Sequence, residues 1–104
     1  MIELKSKEDF FIFVSSNKPV LVVFSTYDCV ICKPVKEKVV SRFDGFINTA
    51  NIYLDCLKEL AGELSIFNVP VVAIFFEGRE VYRFVRVFSI DEIEKKLNRI
   101  LEFL

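Results

Sequence analysis

Cys29 and Cys32, separated by Val30 and Ile31, are the residues of this 104-residue chain whose types and spacing point most directly to chemistry. A C-x-x-C pair can be a redox dithiol, half of a zinc site or a haem attachment, and its neighbours must decide. Haem attachment needs a His directly after the second Cys, but Lys33 stands there and the chain has no His at all. A closed zinc site needs four ligands. Only one further thiol, Cys56, remains, so a metal would need carboxylates or a second chain. Two small, well-packing apolar side chains three apart remain a structural alternative. Redox chemistry fits the pair best, and neither a metal nor an organic cofactor is expected.

The spacing suits thiol–disulfide exchange because a thiolate must form readily and a second thiol must reach it. With Cys29 in the first turn of a helix, unpaired N–H groups and the positive end of the helix dipole lower its pKa from about 8.5. Cys32 then lies one turn on, on the same face. Attack by Cys29 on a substrate disulfide gives a mixed disulfide, which Cys32 resolves. Cys29 is thus the expected nucleophile and Cys32 the resolving thiol. With no His, Cys–His protease or acyl-transfer chemistry is not expected.

The elements that must hold this pair are legible on either side of it. Val20 to Phe24 is a continuous apolar run of strand length, the mark of a strand covered on both faces. Ser25 to Asp28 form a turn, and a helix is expected from about Val30 to Phe43, with Pro34 in its first turn. Upstream, Ser6 reads as a helix N-cap, with Phe10, Phe11, Phe13 and Val14 as a buried stripe and an end near Asn17-Lys18. Downstream come a strand over Thr49 to Asp55, a helix over Leu57 to Ile66 and a strand over Val71 to Phe76. Glu77 to Glu80 turn into a hairpin strand over Val81 to Phe88. Ser89 caps a last helix, with Ile93, Leu97, Ile100 and Leu101 on one face.

Composition frames these elements as one domain spanning residues 1–104. The chain is 53% hydrophobic with a net charge of −1, which favours a folded globule over disorder and gives no electrostatic case for nucleic acid. Twelve Phe and no Trp imply a Phe-rich core. No apolar run approaches the ~20 residues of a membrane span, and no secretory leader pattern opens the sequence. The expectation is a cytoplasmic monomer.

The order β-α-β-α-β-α-β-β-α, with the dithiol after the second strand, resembles the thioredoxin family over nearly the whole chain. The likeness rests on the apolar strand before Cys29 and Cys32, Lys33, Asp55, Val69-Pro70, Gly78 and Ser89. It implies an α/β thioredoxin-like fold, a central mixed β-sheet flanked by helices on both faces. It also implies a cis peptide bond before Pro70, with Pro70 facing the dithiol and the Val69 backbone pairing with a bound substrate strand. As a simple strand opener, Pro70 would need none of this. The implied activity is thiol–disulfide exchange with protein or peptide substrates, re-reduced by a thioredoxin-reductase-like donor.

Several residues depart from the family pattern. Asp28 stands where Trp commonly precedes the first Cys, and Val30-Ile31 replaces Gly-Pro. Val23 and Asn51 correspond to the family's buried Asp and its Lys partner, so proton removal from Cys32 would fall to water, Glu37 or Asp28. Arg86 aligns with a glycine that lines the substrate groove; its charge would favour the Cys29 thiolate while Asp28 opposes it, unless it is a solvated edge-strand residue. Tyr27 and Asp28 are expected to shape the groove. Cys56 reads first as a packing residue, with a regulatory disulfide or a dimer link as the alternative. The missing acid–base pair and the Arg86 substitution also keep open a binding module of the same fold with little redox turnover.

Overall fold

The computed structural model describes all residues from Met1 to Leu104. The chain runs β1 (Ile2–Glu3), α1 (Lys7–Val14), β2 (Val20–Ser25), α2 (Cys32–Phe43), β3 (Asn48–Tyr53), α3 (Lys58–Glu63), β4 (Val71–Phe76), β5 (Arg79–Val85) and α4 (Ile90–Glu102). The five strands form one mixed sheet in the order β1-β3-β2-β4-β5. Central β2 runs parallel to β3 and antiparallel to β4. All six β2 residues are buried, which explains its unbroken apolar sequence. Val20, Val22 and Phe24 pack with Phe10 and Val14 of α1 and Leu60 of α3 on one face. Leu21 and Val23 pack with Val39 and Phe43 of α2 and Ile93 and Leu97 of α4 on the other. Helices thus cover both faces, and the dithiol emerges where β2 leaves the centre of the sheet.

Element ends differ from the sequence expectation wherever tertiary hydrogen bonds set them. Helix α1 stops at Val14 rather than near Asn17-Lys18, because the carbonyls of Val14 and Ser16 accept from the N–H groups of Gly78 and Glu77 (2.8 and 3.0 Å). Phe11, expected in its buried stripe, is exposed. Strand β3 ends at Tyr53 rather than Asp55, since Leu54–Cys56 wind into a 3₁₀ turn. Helix α3 ends at Glu63 instead of Ile66: Ser65 takes φ +55° and the Ile66 N–H reaches back to the Ala61 carbonyl (2.9 Å), a Schellman closure. Strand β5 occupies 79–85 rather than 81–88. Glu77 and Gly78 both have positive φ (51° and 81°), so a two-residue turn returns Arg79 directly against Phe76. Helix α4 keeps its Ser89 cap, with Ile93 and Leu97 buried, but Leu101 lies exposed as the helix outruns its apolar stripe.

Candidate active site

Cys29 and Cys32 are joined by a disulfide, their Cα atoms 5.3 Å apart. Helix α2 begins at Cys32, not Val30, so Cys29 sits in a turn ahead of the helix rather than within it. The reason is local. The Cys29 N–H donates to the Thr26 carbonyl and the Cys32 N–H to the Cys29 carbonyl, both at 3.3 Å, winding two tight turns before the helix takes over. The N–H groups of Val30 and Ile31 carry no protein acceptor. They lie in the turn that leads into the positive end of the twelve-residue helix, between Cys29 and Cys32 in the chain. Cys32 is 1% exposed, whereas Cys29 is half-buried and Val30 is 86% exposed.

Two flanks meet at this pair. On the β4 side, Phe24 of β2 pairs with Val71, which places Pro70 at the same end of the sheet as the dithiol. The Val69–Pro70 peptide bond is cis. The Arg86 N–H donates to the Pro70 carbonyl (2.9 Å), and Arg86 closes β5 at φ +56°, in the left-handed region where glycine is favoured. Val69 is half-buried and Pro70 buried, while the Arg86 guanidinium is exposed and makes no ion pair.

On the β3 side, side chains build the wall. The ring of Tyr27 stacks on that of Tyr53, 4.3 Å between centroids at 16°. Lys36 donates to the Tyr53 hydroxyl (3.0 Å) and lies over the same ring at 4.6 Å. Together with Thr26, Asp28, Cys29, Val30 and Lys33 these residues line a cavity of about 580 Å³. Asp28 accepts from the Thr26 hydroxyl (3.0 Å), and Asp55 accepts from the Tyr27 N–H (3.1 Å), fixing the loop. The Tyr27 hydroxyl lies 3.2 Å from the Cys56 sulfur. That contact, followed by burial and the charges of Cys56, Glu3 and Asp55, pushes the tyrosine up to about 12. Cys56 is exposed, so its expectation as a packing residue fails.

The structure therefore brings Tyr27, Asp28 and Cys29 into one cavity and holds Val69, Pro70 and Arg86 on the opposite side. Val23 and Asn51 are register partners on β2 and β3. Asn51 is instead bonded by Ser25, whose buried hydroxyl donates to its side-chain oxygen (2.7 Å). A neutral pair thus occupies ground where a titrating one was absent in sequence. Glu37 is exposed, and Asp28 is engaged by Thr26. Sequence reasoning missed Lys36, Tyr53 and Ser25. Tyr53 sits just two residues before the Asp55 already singled out, the one local signal available.

The thioredoxin family model matches residues 1–99. The chain belongs to the thioredoxin family. Thioredoxin-like protein YdfQ of Bacillus subtilis is 31% identical over 90 residues, covering 85% of this chain and 80% of that one. The bifunctional thioredoxin reductase/thioredoxin of Mycobacterium leprae is 34% identical over 87 residues, covering 81% of this chain but only 19% of its own length. The fold is that of a poplar thioredoxin h, with a TM-score of 0.85 over 99% of this chain and 98% of that one at 23% identity. Family membership and the joined Cys29–Cys32 pair make this thioredoxin-family protein a thiol–disulfide oxidoreductase. No helix is long and apolar enough to cross a membrane.

Proposed function

We propose that the protein exchanges disulfides with protein or peptide substrates, Cys29 attacking and Cys32 resolving. The observation that carries the reading is the unequal burial of the two cysteines: Cys32 is closed off, and Cys29 borders an open cavity beside unpaired N–H groups. The Cys29 thiolate attacks one substrate sulfur, forming a mixed disulfide and expelling the other sulfur as a thiolate that takes a proton from water. Cys32 then loses its proton and attacks the Cys29 sulfur. The Cys29–Cys32 bond forms, the second substrate sulfur leaves as a thiolate, and two electrons have passed to the substrate. Val69 and Pro70, with Tyr27, Asp28 and Arg86, form the substrate-contacting surface in this reading.

Reduction of Cys29–Cys32 needs an outside dithiol or flavin donor. The Mycobacterium leprae relative, named for a reductase and a thioredoxin in one chain, supports a thioredoxin-reductase-like one. We take the cytoplasm as the compartment and a monomer as the working state. The neutral Ser25–Asn51 pair, with no buried carboxylate, favours slow resolution over none and gives the binding-module alternative a foothold. Insulin reduction by dithiothreitol tests the reading. Acceleration by the wild type that falls to the uncatalysed rate in Cys29→Ser, with a trapped mixed disulfide in Cys32→Ser, is expected. No acceleration by the wild type would leave the binding module.

A further inference from the structure

Apart from Cys29 itself, the cavity on the β3 side is lined by residues that make or break no bond in the exchange reaction. Its stacked Tyr27–Tyr53 wall is held 4.3 Å apart, and Lys36 is pinned to that wall by a hydrogen bond and a ring contact. Lys33, one residue beyond Cys32, lines the same cavity, and neither lysine forms an ion pair. Lys36 spends one of its three N–H donors on the Tyr53 hydroxyl, leaving two to offer. The single lining carboxylate, Asp28, is turned to the Thr26 hydroxyl. Neither Asp55 nor Glu3 lines this cavity: Asp55 holds the Tyr27 N–H, and Glu3 borders a second cavity with Lys5, Cys56 and the same two tyrosines.

We propose that this cavity is a carboxylate-binding subsite that gives the enzyme a preference for disulfides carrying negative charge close to the reacting sulfur. The proposal rests on the exchange reading above and adds its substrate class. A substrate whose sulfur reaches Cys29 brings groups a few ångströms from that sulfur into the cavity. A carboxylate there meets two ammonium groups against an aromatic floor that excludes water from one side, and charge-assisted hydrogen bonds are the stronger kind. The chemistry is common to the free carboxylates of a small thiol and to an Asp or Glu side chain beside a cystine in a peptide.

Reaction of the reduced protein with small disulfides tests it, reading the rate with a dianionic aryl disulfide, 5,5′-dithiobis(2-nitrobenzoate), against that with a neutral pyridyl disulfide. Taken as a ratio, any change in Cys29 reactivity common to both probes cancels. Lys36→Gln is expected to lower the ratio about threefold, and Lys33→Gln with Lys36→Gln about tenfold, at the scale of exposed ion pairs. The wild-type ratio should also fall as salt rises from about 0.01 to 0.15 M and the screening length shrinks from about 30 to 8 Å. Fast reaction with a ratio unmoved by both variants overturns the subsite and leaves the exchange chemistry standing. No reaction, or equal reaction in Cys29→Ser, overturns both. Oxidised glutathione and a cystine peptide with Glu or Gln beside the disulfide then separate the sources: whichever slows in Lys36→Gln, Glu peptide but not Gln peptide, is the one recognised. Slowing of neither overturns the proposal.

Discussion

The two flanks of the dithiol are made of different material. On the β4 side the parts are backbone: a cis bond before Pro70, an N–H from Arg86 to the Pro70 carbonyl, and a residue at φ +56°. On the β3 side the parts are side chains: two stacked tyrosines, a lysine over one of them and a thiol against the other. Backbone geometry tolerates many sequences, so the β4 flank asks little of most of its side chains. Side-chain walls depend on particular residues, so the proposed choice among substrates rests on the β3 flank. Both flanks hang from one strand, since each residue of β2 pairs with β3 and most pair with β4 as well.

The largest effect is expected where the flanks share support. Phe24 is fully buried, pairs with Ile52 of β3 and Val71 of β4, and lies against Phe10 and Phe75 at 6.1 and 6.5 Å between ring centroids. Phe24→Ala opens a cavity under both flanks and is expected to cost about 3–5 kcal/mol. That is a large fraction of the ~5–15 kcal/mol holding a domain of this size together. Urea unfolding measures it. A loss below about 1 kcal/mol would mean that the strand is held by its hydrogen bonds alone and that the flanks are supported separately.

The β4 flank was legible through the family resemblance, which Val69-Pro70 helps to carry and which aligns Arg86 with a glycine; the residues alone left Pro70 as a simple strand opener. The dithiol and the buried strands β2 and β4 were legible directly, each being a short pattern of residue types. The β3 flank was not. Tyr27, Lys36 and Tyr53 come from a loop, a helix and a strand end, and no periodicity links them; only the stacking of the folded chain does. Helix ends failed similarly. Val14 ends α1 because its carbonyl accepts from Gly78, 64 positions along the chain (78 − 14), which no capping pattern near Val14 announces. Cys29 fell outside α2 because a turn bonded to Thr26 outcompeted helix propagation, a balance of single hydrogen bonds that residue types do not reveal.

A smaller effect probes the β4 flank as backbone. Arg86 makes no ion pair, and its left-handed φ costs an L residue about 1–2 kcal/mol. Glycine relieves that cost but loses about 0.5–1 kcal/mol through the freer unfolded chain. Arg86→Gly is therefore expected to stabilise the protein by about 0.5 kcal/mol, seen as a higher urea midpoint at unchanged slope. A clear destabilisation would show that the guanidinium packs on the flank after all and that the contrast with the β3 side is overdrawn.

The smallest effect is read at high pH and isolates the outer edge of the β3 flank. Tyr27 is held protonated to about 12, first by its hydrogen bond to Cys56, then by burial and neighbouring negative charge. Because the folded pKa lies above the unfolded value near 10, the neutral hydroxyl favours the fold fully below about pH 10. That contribution is lost as pH rises towards about 12. Ultraviolet titration of the three tyrosines should show one ionising well after an ordinary phenol. In Cys56→Ala that late phase is expected to move down towards pH 10, while the Tyr27–Tyr53 stack, built on ring faces rather than on the hydroxyl, persists. A late phase unmoved by removal of the thiol would mean that burial and nearby carboxylates hold the proton. The wall beside Cys29 would then be rigid without its outer thiol contact, and Cys56 would have no part in shaping the flank.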